Sequence, residues 1–306
     1  MKIFFIINGR RGNVSGKLIA RFHDELYASG AEYVIVLSRS IAQSQEYVRQ
    51  AMASGFDTLW MGGGDGTIHV LLNQARLGDM RLGVVPMGTV NAFARAMGIP
   101  LDPVLAVRFL LSAQPQPVNI GVVNGQVHFL CFAGIGLDGS AVHGVSNWFK
   151  RLTGRVAYVT AGLTSVMKSY WLVPFEVRVD DQPHPLDHGH SLILSNIRNY
   201  AGFDLFPLAH PCADSMEMYV FRGRRPDTMG QWALATRLHF NKWKQRLGGR
   251  VGHHQVRNFT VTSQKRMYLQ LDGEAVSLGD DTRYEFAWLP GAVQVLGADN
   301  KPTDEV

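Results

Sequence analysis

Six consecutive residues, Gly62-Gly63-Gly64-Asp65-Gly66-Thr67, have the composition of a phosphate-binding turn. Successive glycines let the backbone turn sharply and bring amide groups close to a ligand, because no Cβ stands in the way. The apolar run Thr58-Leu59-Trp60-Met61 ahead of them reads as a buried strand, and Ile68-His69-Val70-Leu71-Leu72-Asn73 behind them reads as the first turns of a helix. A helix start adds unpaired N–H donors and a positive dipole end, both of which favour an anion. The same residues also satisfy a plain βα turn in which Asp65 and Thr67 cap the helix. A carboxylate inside a phosphate loop repels the ligand unless a cation lies between them, so Asp65 points to Mg²⁺.

A second loop has the same character. The strand-like run Leu82-Gly83-Val84-Val85 ends in Pro86-Met87-Gly88-Thr89-Val90-Asn91-Ala92-Phe93-Ala94-Arg95, where Gly88, Thr89 and Asn91 can turn towards the same ligand. A Walker-type P-loop is excluded on spacing: Gly12 and Gly16 before Lys17 enclose three residues, and Leu18 stands where Ser or Thr is required.

The two loops, with Asn8-Gly9-Arg10-Arg11-Gly12 after the first strand, Gly134-Ile135-Gly136-Leu137-Asp138, Ser195-Asn196 and Asp272-Gly273-Glu274 in that order, resemble the diacylglycerol kinase catalytic family, specifically the bacterial soluble lipid kinases. Each short match is weak alone; their order and spacing make the resemblance specific. The chain departs from the family pattern at Gly9, Val70, Ala92 and Ser215, which bears on lipid preference and metal geometry more than on kinase chemistry. NAD kinases and phosphofructokinases share the first loop, but the Pro86 to Arg95 block disfavours both.

The resemblance implies an ATP- and Mg²⁺-dependent lipid kinase acting on a diacylglycerol-like membrane lipid. Phosphatidylglycerol, sphingoid bases and ceramide are alternative acceptors, and a catalytically silent lipid- or nucleotide-binding regulator is the rival from another class. Asn8, Ser38, Gly62, Gly63, Gly64, Asp65, Gly66, Thr67, Gly88, Thr89 and Asn91 are the implied nucleotide contacts; Ser38 serves equally as a helix N-cap. Phosphoryl transfer needs a carboxylate to position or deprotonate the acceptor hydroxyl. The implied acids are Asp65, Asp138, Asp272 and Glu274, with Glu274 or Asp272 as the general base; an Asp-Gly-Glu by itself is an ordinary hairpin turn. Asp214, with the carbonyls of Pro211 and Met216, matches the family's structural Mg²⁺ site. Adjacent His253 and His254 are poorly placed as paired ligands on one face, and His69 reads as solvent-facing.

Residues 222–257 carry nine Lys or Arg against the single acid Asp227, interleaved with Trp232, Leu234, Leu238, Phe240, Trp243 and Leu247. A basic segment with aromatic residues suits an anionic membrane surface. Nucleic acid and a solvated basic face are the competing readings, and no nucleic-acid motif accompanies the segment, so no nucleic acid is expected. The two cysteines, Cys131 and Cys212, lie in apolar contexts and fit a reducing, cytoplasmic compartment. Met1-Lys2 and the apolar run after it stop at Asn8, well short of a signal sequence, and read as the first strand. Any membrane contact is expected to be peripheral.

These pieces require a scaffold of two parts. Residues 1–117 alternate strands and helices, which implies a doubly wound α/β nucleotide-binding domain with ligands at the carboxyl ends of its strands. Residues 118–288 read as a β-rich, sandwich-like substrate domain, with helices near 145–170 and 227–247. Separate strands are read at 284–288 and 293–296, and the strand near 289–298 is expected to return to the first domain.

Overall fold

The computed structural model of the chain describes residues 1–9, 14–73, 80–136, 139, 173–179, 182–200, 203–222 and 250–298. The first part runs β1 (Lys2–Asn8), α1 (Gly16–Ala28), β2 (Glu32–Ser38), α2 (Ile41–Ala53), β3 (Thr58–Gly63), α3 (Asp65–Leu72), β4 (Arg81–Pro86), α4 (Ala92–Ala96) and α5 (Pro103–Ser112). Then come β5 (Gln114–Val123), β6 (Val127–Phe129), β7 (Phe132–Ile135), β8 (Phe175–Arg178), β9 (Asp187–Gly189), β10 (Ser191–Ser195), β11 (Asn199–Tyr200) and β12 (Phe203–Asp204). The chain closes with β13 (Met216–Phe221), β14 (Val251–Val256), β15 (Phe259–Thr262), β16 (Leu269–Leu271), β17 (Glu274–Val276) and β18 (Arg283–Gly297). It divides into two compact units, Met1–Ile120 with Leu289–Val306, and Gly121–Trp288.

In the first unit the strands lie in the order β2-β1-β3-β4, followed by the last part of β18, all parallel. Ile3, Phe5, Ile6, Ile7, Leu59, Trp60 and Val85 are fully buried, as strands covered on both faces must be. Phe5 packs on Phe22 of α1 and on Trp60, while Phe4 packs on Tyr47 of α2 and on Phe56. Helices therefore cover both faces, which is the doubly wound arrangement. Since β2 lies on one side of β1 and β3 on the other, the connections reverse direction between β1 and β3, the place where such sheets bind ligands. Trp60 faces Gly83 in the β3–β4 register, and a Cβ there would stand 2.3 Å from the indole ring. The glycine makes room for the largest buried side chain of this core.

The second unit holds an antiparallel six-stranded sheet in the order β14-β13-β10-β7-β16-β17 and the antiparallel run of the first part of β18, β15, β8 and β9. One core joins them: Ala133, Ile135, Leu192, Leu194, Met216, Met218 and Leu269 from the first set meet Phe175, Val177, Phe259, Val261, Tyr284 and Phe286 from the second. This is a β-sandwich. The opposite face of the six-stranded sheet carries a smaller cluster of Ile193, Tyr200, Phe206, Ala209, Tyr219 and Phe221.

Strands read separately at 284–288 and 293–296 are a single strand, β18, with Pro290 and Gly291 inside it. Gly291 takes φ 58, the left-handed conformation found at bulges, and gives its N–H to Asn119 Oδ1 at 2.8 Å, so pairing continues past the proline. The helices read near 145–170 and near 227–247, together with Asp138, lie outside the described residues.

Candidate active site

Both glycine-rich loops start where a strand of the parallel sheet ends. Gly63 closes β3 and Pro86 closes β4, register partners, and Met87 donates its N–H to the Gly63 carbonyl at 2.9 Å. Beyond that bond the two backbones almost touch: a Cβ built on Gly88 would lie 2.6 Å from Gly64 Cα, and one built on Gly64 would lie 3.2 Å from Gly88 Cα. Gly64 itself has φ −97 and ψ −179, an extended conformation open to any residue. The glycines are thus required by close approach and not by an unusual dihedral angle.

Asp65 begins α3, earlier than the sequence suggests, and does not cap it. Its carboxylate reaches across the loops: Oδ2 accepts the Ala92 N–H and Oδ1 the Phe93 N–H, each at 3.2 Å, at the start of α4. Asn91, at φ 51, folds its side chain back on Gly88, accepting from Gly88 N at 2.9 Å and donating to Gly88 O at 3.1 Å. Asn and Asp tolerate this left-handed conformation best, because the short polar side chain can satisfy the local backbone. Thr89 is exposed beside them.

The carboxyl end of β1 completes the group. Asn8 Nδ2 donates to Thr67 Oγ1 at 2.8 Å across the point where the sheet connections reverse. Ser38, the register partner of Asn8 at the end of β2, is 1% exposed, and its hydroxyl donates to the Ser40 carbonyl at 2.8 Å. The N-cap of α2 is Ser40, which accepts the Gln43 N–H. Ser38 is not the cap; it braces the turn that leads to it. His69, read as solvent-facing, is 8% exposed, because α3 turns it inward with Ile68, Leu71 and Leu72.

In the second unit, Asp272 and Gly273 are the two central residues of the β16–β17 hairpin, with φ 51 and 83, the signs of a type I′ turn. The Asp272 carboxylate is 6% exposed at the residue level and accepts three backbone N–H groups, from Leu130 at 2.9 Å, Cys131 at 2.7 Å and Phe132 at 3.1 Å. Asn196 adds a bond from Nδ2 to the Leu130 carbonyl at 3.1 Å. The sequence pieces around Gly134, Ser195-Asn196 and Asp272-Gly273-Glu274 thus meet in one hydrogen-bonded hub. Asp272 is the hub's anchor, whereas Glu274, two residues on, is exposed.

Three polar clusters join partners that the local sequence did not connect, since these lie far apart along the chain. Asp187 accepts from Arg222 Nε at 2.6 Å, Arg222 Nη2 at 2.8 Å and the His188 N–H at 2.7 Å, and pairs with His254 Nε2 at 2.7 Å. Burial works to raise its pKa, but His254, Arg222 and the His188 amide outweigh that and hold it at about 2. On the other face of β14, His253 Nε2 lies 2.7 Å from the buried Glu217 carboxylate and its ring stacks on Tyr219. The adjacent histidines therefore serve opposite faces of the sheet. Third, Arg257 Nε donates to the carbonyl of Asp214 at 2.8 Å, beside the set Pro211, Asp214 and Met216.

The chain thus combines paired glycine loops at the carboxyl ends of a doubly wound sheet with a second unit built as a β-sandwich. Residues 2–123 match the model of the diacylglycerol kinase catalytic domain. The chain is 34% identical over 167 residues to the probable lipid kinase YegS-like of Pseudomonas aeruginosa, covering 53% of each. It is 36% identical over 135 residues to the diacylglycerol kinase of Bacillus subtilis, covering 43% of each. The chain thus spans about half the length of these curated relatives. In fold it is similar to the crystal structure of a diacylglycerol kinase from Bacillus anthracis, with a TM-score of 0.72 at 18% identity and 97% of both chains covered.

Proposed function

We propose that the chain is an ATP- and Mg²⁺-dependent lipid kinase that transfers the γ-phosphoryl group to a hydroxyl of a diacylglycerol-like membrane lipid. The observation that carries this reading is the close approach of Gly64 and Gly88, which sets bare glycine backbone from both loops side by side at the carboxyl end of the sheet. A nucleotide's phosphates fit such a place because backbone amides can approach them directly. Asp65 sets the second loop by holding the Ala92 and Phe93 amides, Asn91 closes that loop on Gly88, and Asn8 with Thr67 fixes the first.

In the transfer, the acceptor oxygen bonds to the γ-phosphorus, the bond to the β-phosphate oxygen breaks with ADP leaving, and the hydroxyl proton passes to a carboxylate. Glu274 is that base: it is exposed, whereas the Asp272 oxygens already accept three amides. Mg²⁺ carried with the nucleotide would neutralise charge on the phosphates, with Asp65 the nearest acid in the loops. The basic segment of residues 222–257 is the element we assign to the anionic membrane surface.

The test is incubation with γ-labelled ATP, Mg²⁺ and vesicles containing, in turn, diacylglycerol, phosphatidylglycerol, a sphingoid base or ceramide. Label in the lipid phase with diacylglycerol above the others is the expected result. Binding of ATP with no label in any lipid would replace the reading with a silent binder.

A further inference from the structure

We propose that Arg257 takes the place of a structural divalent cation at the loop ahead of β13, so that this loop is held by a side chain of the protein and not by Mg²⁺. The atoms that the family resemblance assigns to such a cation are the carbonyls of Pro211 and Met216 and the carboxylate of Asp214. Residues 210–215 form the loop and enter β13 at Met216, which stands opposite Val256 in the β13–β14 pairing. The residue after Val256 is Arg257, which therefore leaves the sheet at the end where this loop lies. Its Nε–H donates to the Asp214 carbonyl at 2.8 Å, and its guanidinium carbon lies 5.4 Å from the centre of the Trp288 ring. The neighbouring Asn258 holds Trp288 in turn, its Oδ1 accepting the Trp288 N–H at 3.1 Å. A planar guanidinium bonded at Nε and stacked on an indole face has a defined direction, which a lysine could not reproduce.

Two features of the site oppose a divalent ion. A guanidinium at hydrogen-bond distance from Asp214 repels a doubly charged ion on the same residue; at about 5 Å, even water-like screening leaves binding weaker by roughly tenfold or more. The donor set offers one carboxylate beside two backbone carbonyls, a single negative charge against a doubly charged ion. The arginine supplies from within the chain what the ion would supply, a positive charge and a directed contact to a loop oxygen. Mg²⁺ carried with a nucleotide at the glycine loops would be a different ion from one at this loop.

The test is thermal melting of the nucleotide-free full chain, in EDTA and in millimolar Mg²⁺ at matched ionic strength, for the parent, Arg257→Gln and Asp214→Asn. The parent should melt at the same temperature in both buffers. Arg257→Gln, whose side chain is exposed and leaves the core intact, should melt about 2–5 °C lower in EDTA, the scale of one charged hydrogen bond in a protein of this size. A parent stabilised by Mg²⁺ in a manner abolished by Asp214→Asn would overturn the proposal. So would an Arg257→Gln midpoint equal to the parent's in EDTA.

Discussion

At the scale of single residues, Gly88 decides whether the two loops can meet. A methyl group there would sit 2.6 Å from Gly64 Cα and 2.7 Å from Asn91 Oδ1, so Gly88→Ala must part the loops or break the Asn91 ring. Overpacking of this kind costs about 1–3 kcal/mol of stability. The larger consequence falls on the ligand: isothermal titration with ATP should show affinity reduced roughly tenfold or more, since a misplaced binding loop loses contacts worth at least 1.4 kcal/mol. Unchanged affinity would remove the loop pair from the nucleotide site. The two acids of the β16–β17 hairpin should separate in the same spirit. Asp272→Asn loses acceptor capacity for three buried amides and should destabilise the fold by about 1–3 kcal/mol, whereas Glu274→Gln should leave stability alone and lower turnover by roughly 10² or more. Denaturant unfolding and steady-state kinetics on both variants decide it; full turnover in Glu274→Gln would demote that residue to an ordinary surface position. The sequence made these residues legible because each motif is contiguous. It could not show that Asp65 braces Ala92 and Phe93, 27 and 28 residues away, or that Asp272 is occupied by Leu130 to Phe132 some 140 residues earlier.

At the scale of elements, β14 shows best why part of the fold was hidden. Its sequence, Val-Gly-His-His-Gln-Val, has too little apolar alternation to read as a strand. It pairs along β13 because each histidine finds a buried carboxylate on its own face, Glu217 for His253 and Asp187 for His254. Hydropathy counts such positions as polar, while the folded sheet treats them as satisfied. The parallel strands of the first unit had the opposite property, continuous apolar runs between turn residues, and were readable in nearly their observed bounds. The Asp187 cluster also carries a pH dependence. Its carboxyl is held at about 2 in the folded state, below the ordinary Asp value of about 3.9 in the unfolded chain. The depressed pKa contributes stability that is fully present above pH 4 and is lost as the pH falls from about 4 to 2. Asp187→Asn strands Arg222 and His254 beside a neutral group and should cost about 2–4 kcal/mol near neutral pH, with a shallower decline in acid. Urea unfolding across pH 6 to 2 measures both; parallel acid declines in parent and variant would show that this carboxylate does not drive the effect.

For the whole molecule, the proposed reaction requires the chain to reach a lipid. Among the described residues no helix is long and apolar enough to cross a membrane. Positive charge is concentrated between residues 222 and 257, and the backbone N–H of Arg222 donates to the Arg250 carbonyl at 2.9 Å, where β13 and β14 pair. Each Lys or Arg near an anionic surface contributes on the order of 1 kcal/mol, screened over a Debye length of about 8 Å at physiological salt. Changing Lys242, Lys244 and Arg246 to Glu should therefore abolish most sedimentation with anionic vesicles and leave ATP affinity untouched, and added salt should weaken the parent in the same direction. Indifference to both changes would mean that another surface meets the bilayer.

The central claim, that this molecule moves a phosphoryl group from ATP to a lipid hydroxyl, is tested most directly by single-turnover transfer of γ-label into diacylglycerol vesicles, with Glu274→Gln run in parallel. The account predicts lipid-phase label from the parent, with one ADP formed per labelled lipid, and transfer slowed roughly 10² or more in Glu274→Gln at unchanged ATP binding. Parent protein that binds ATP and vesicles yet leaves all label in the aqueous phase would contradict it.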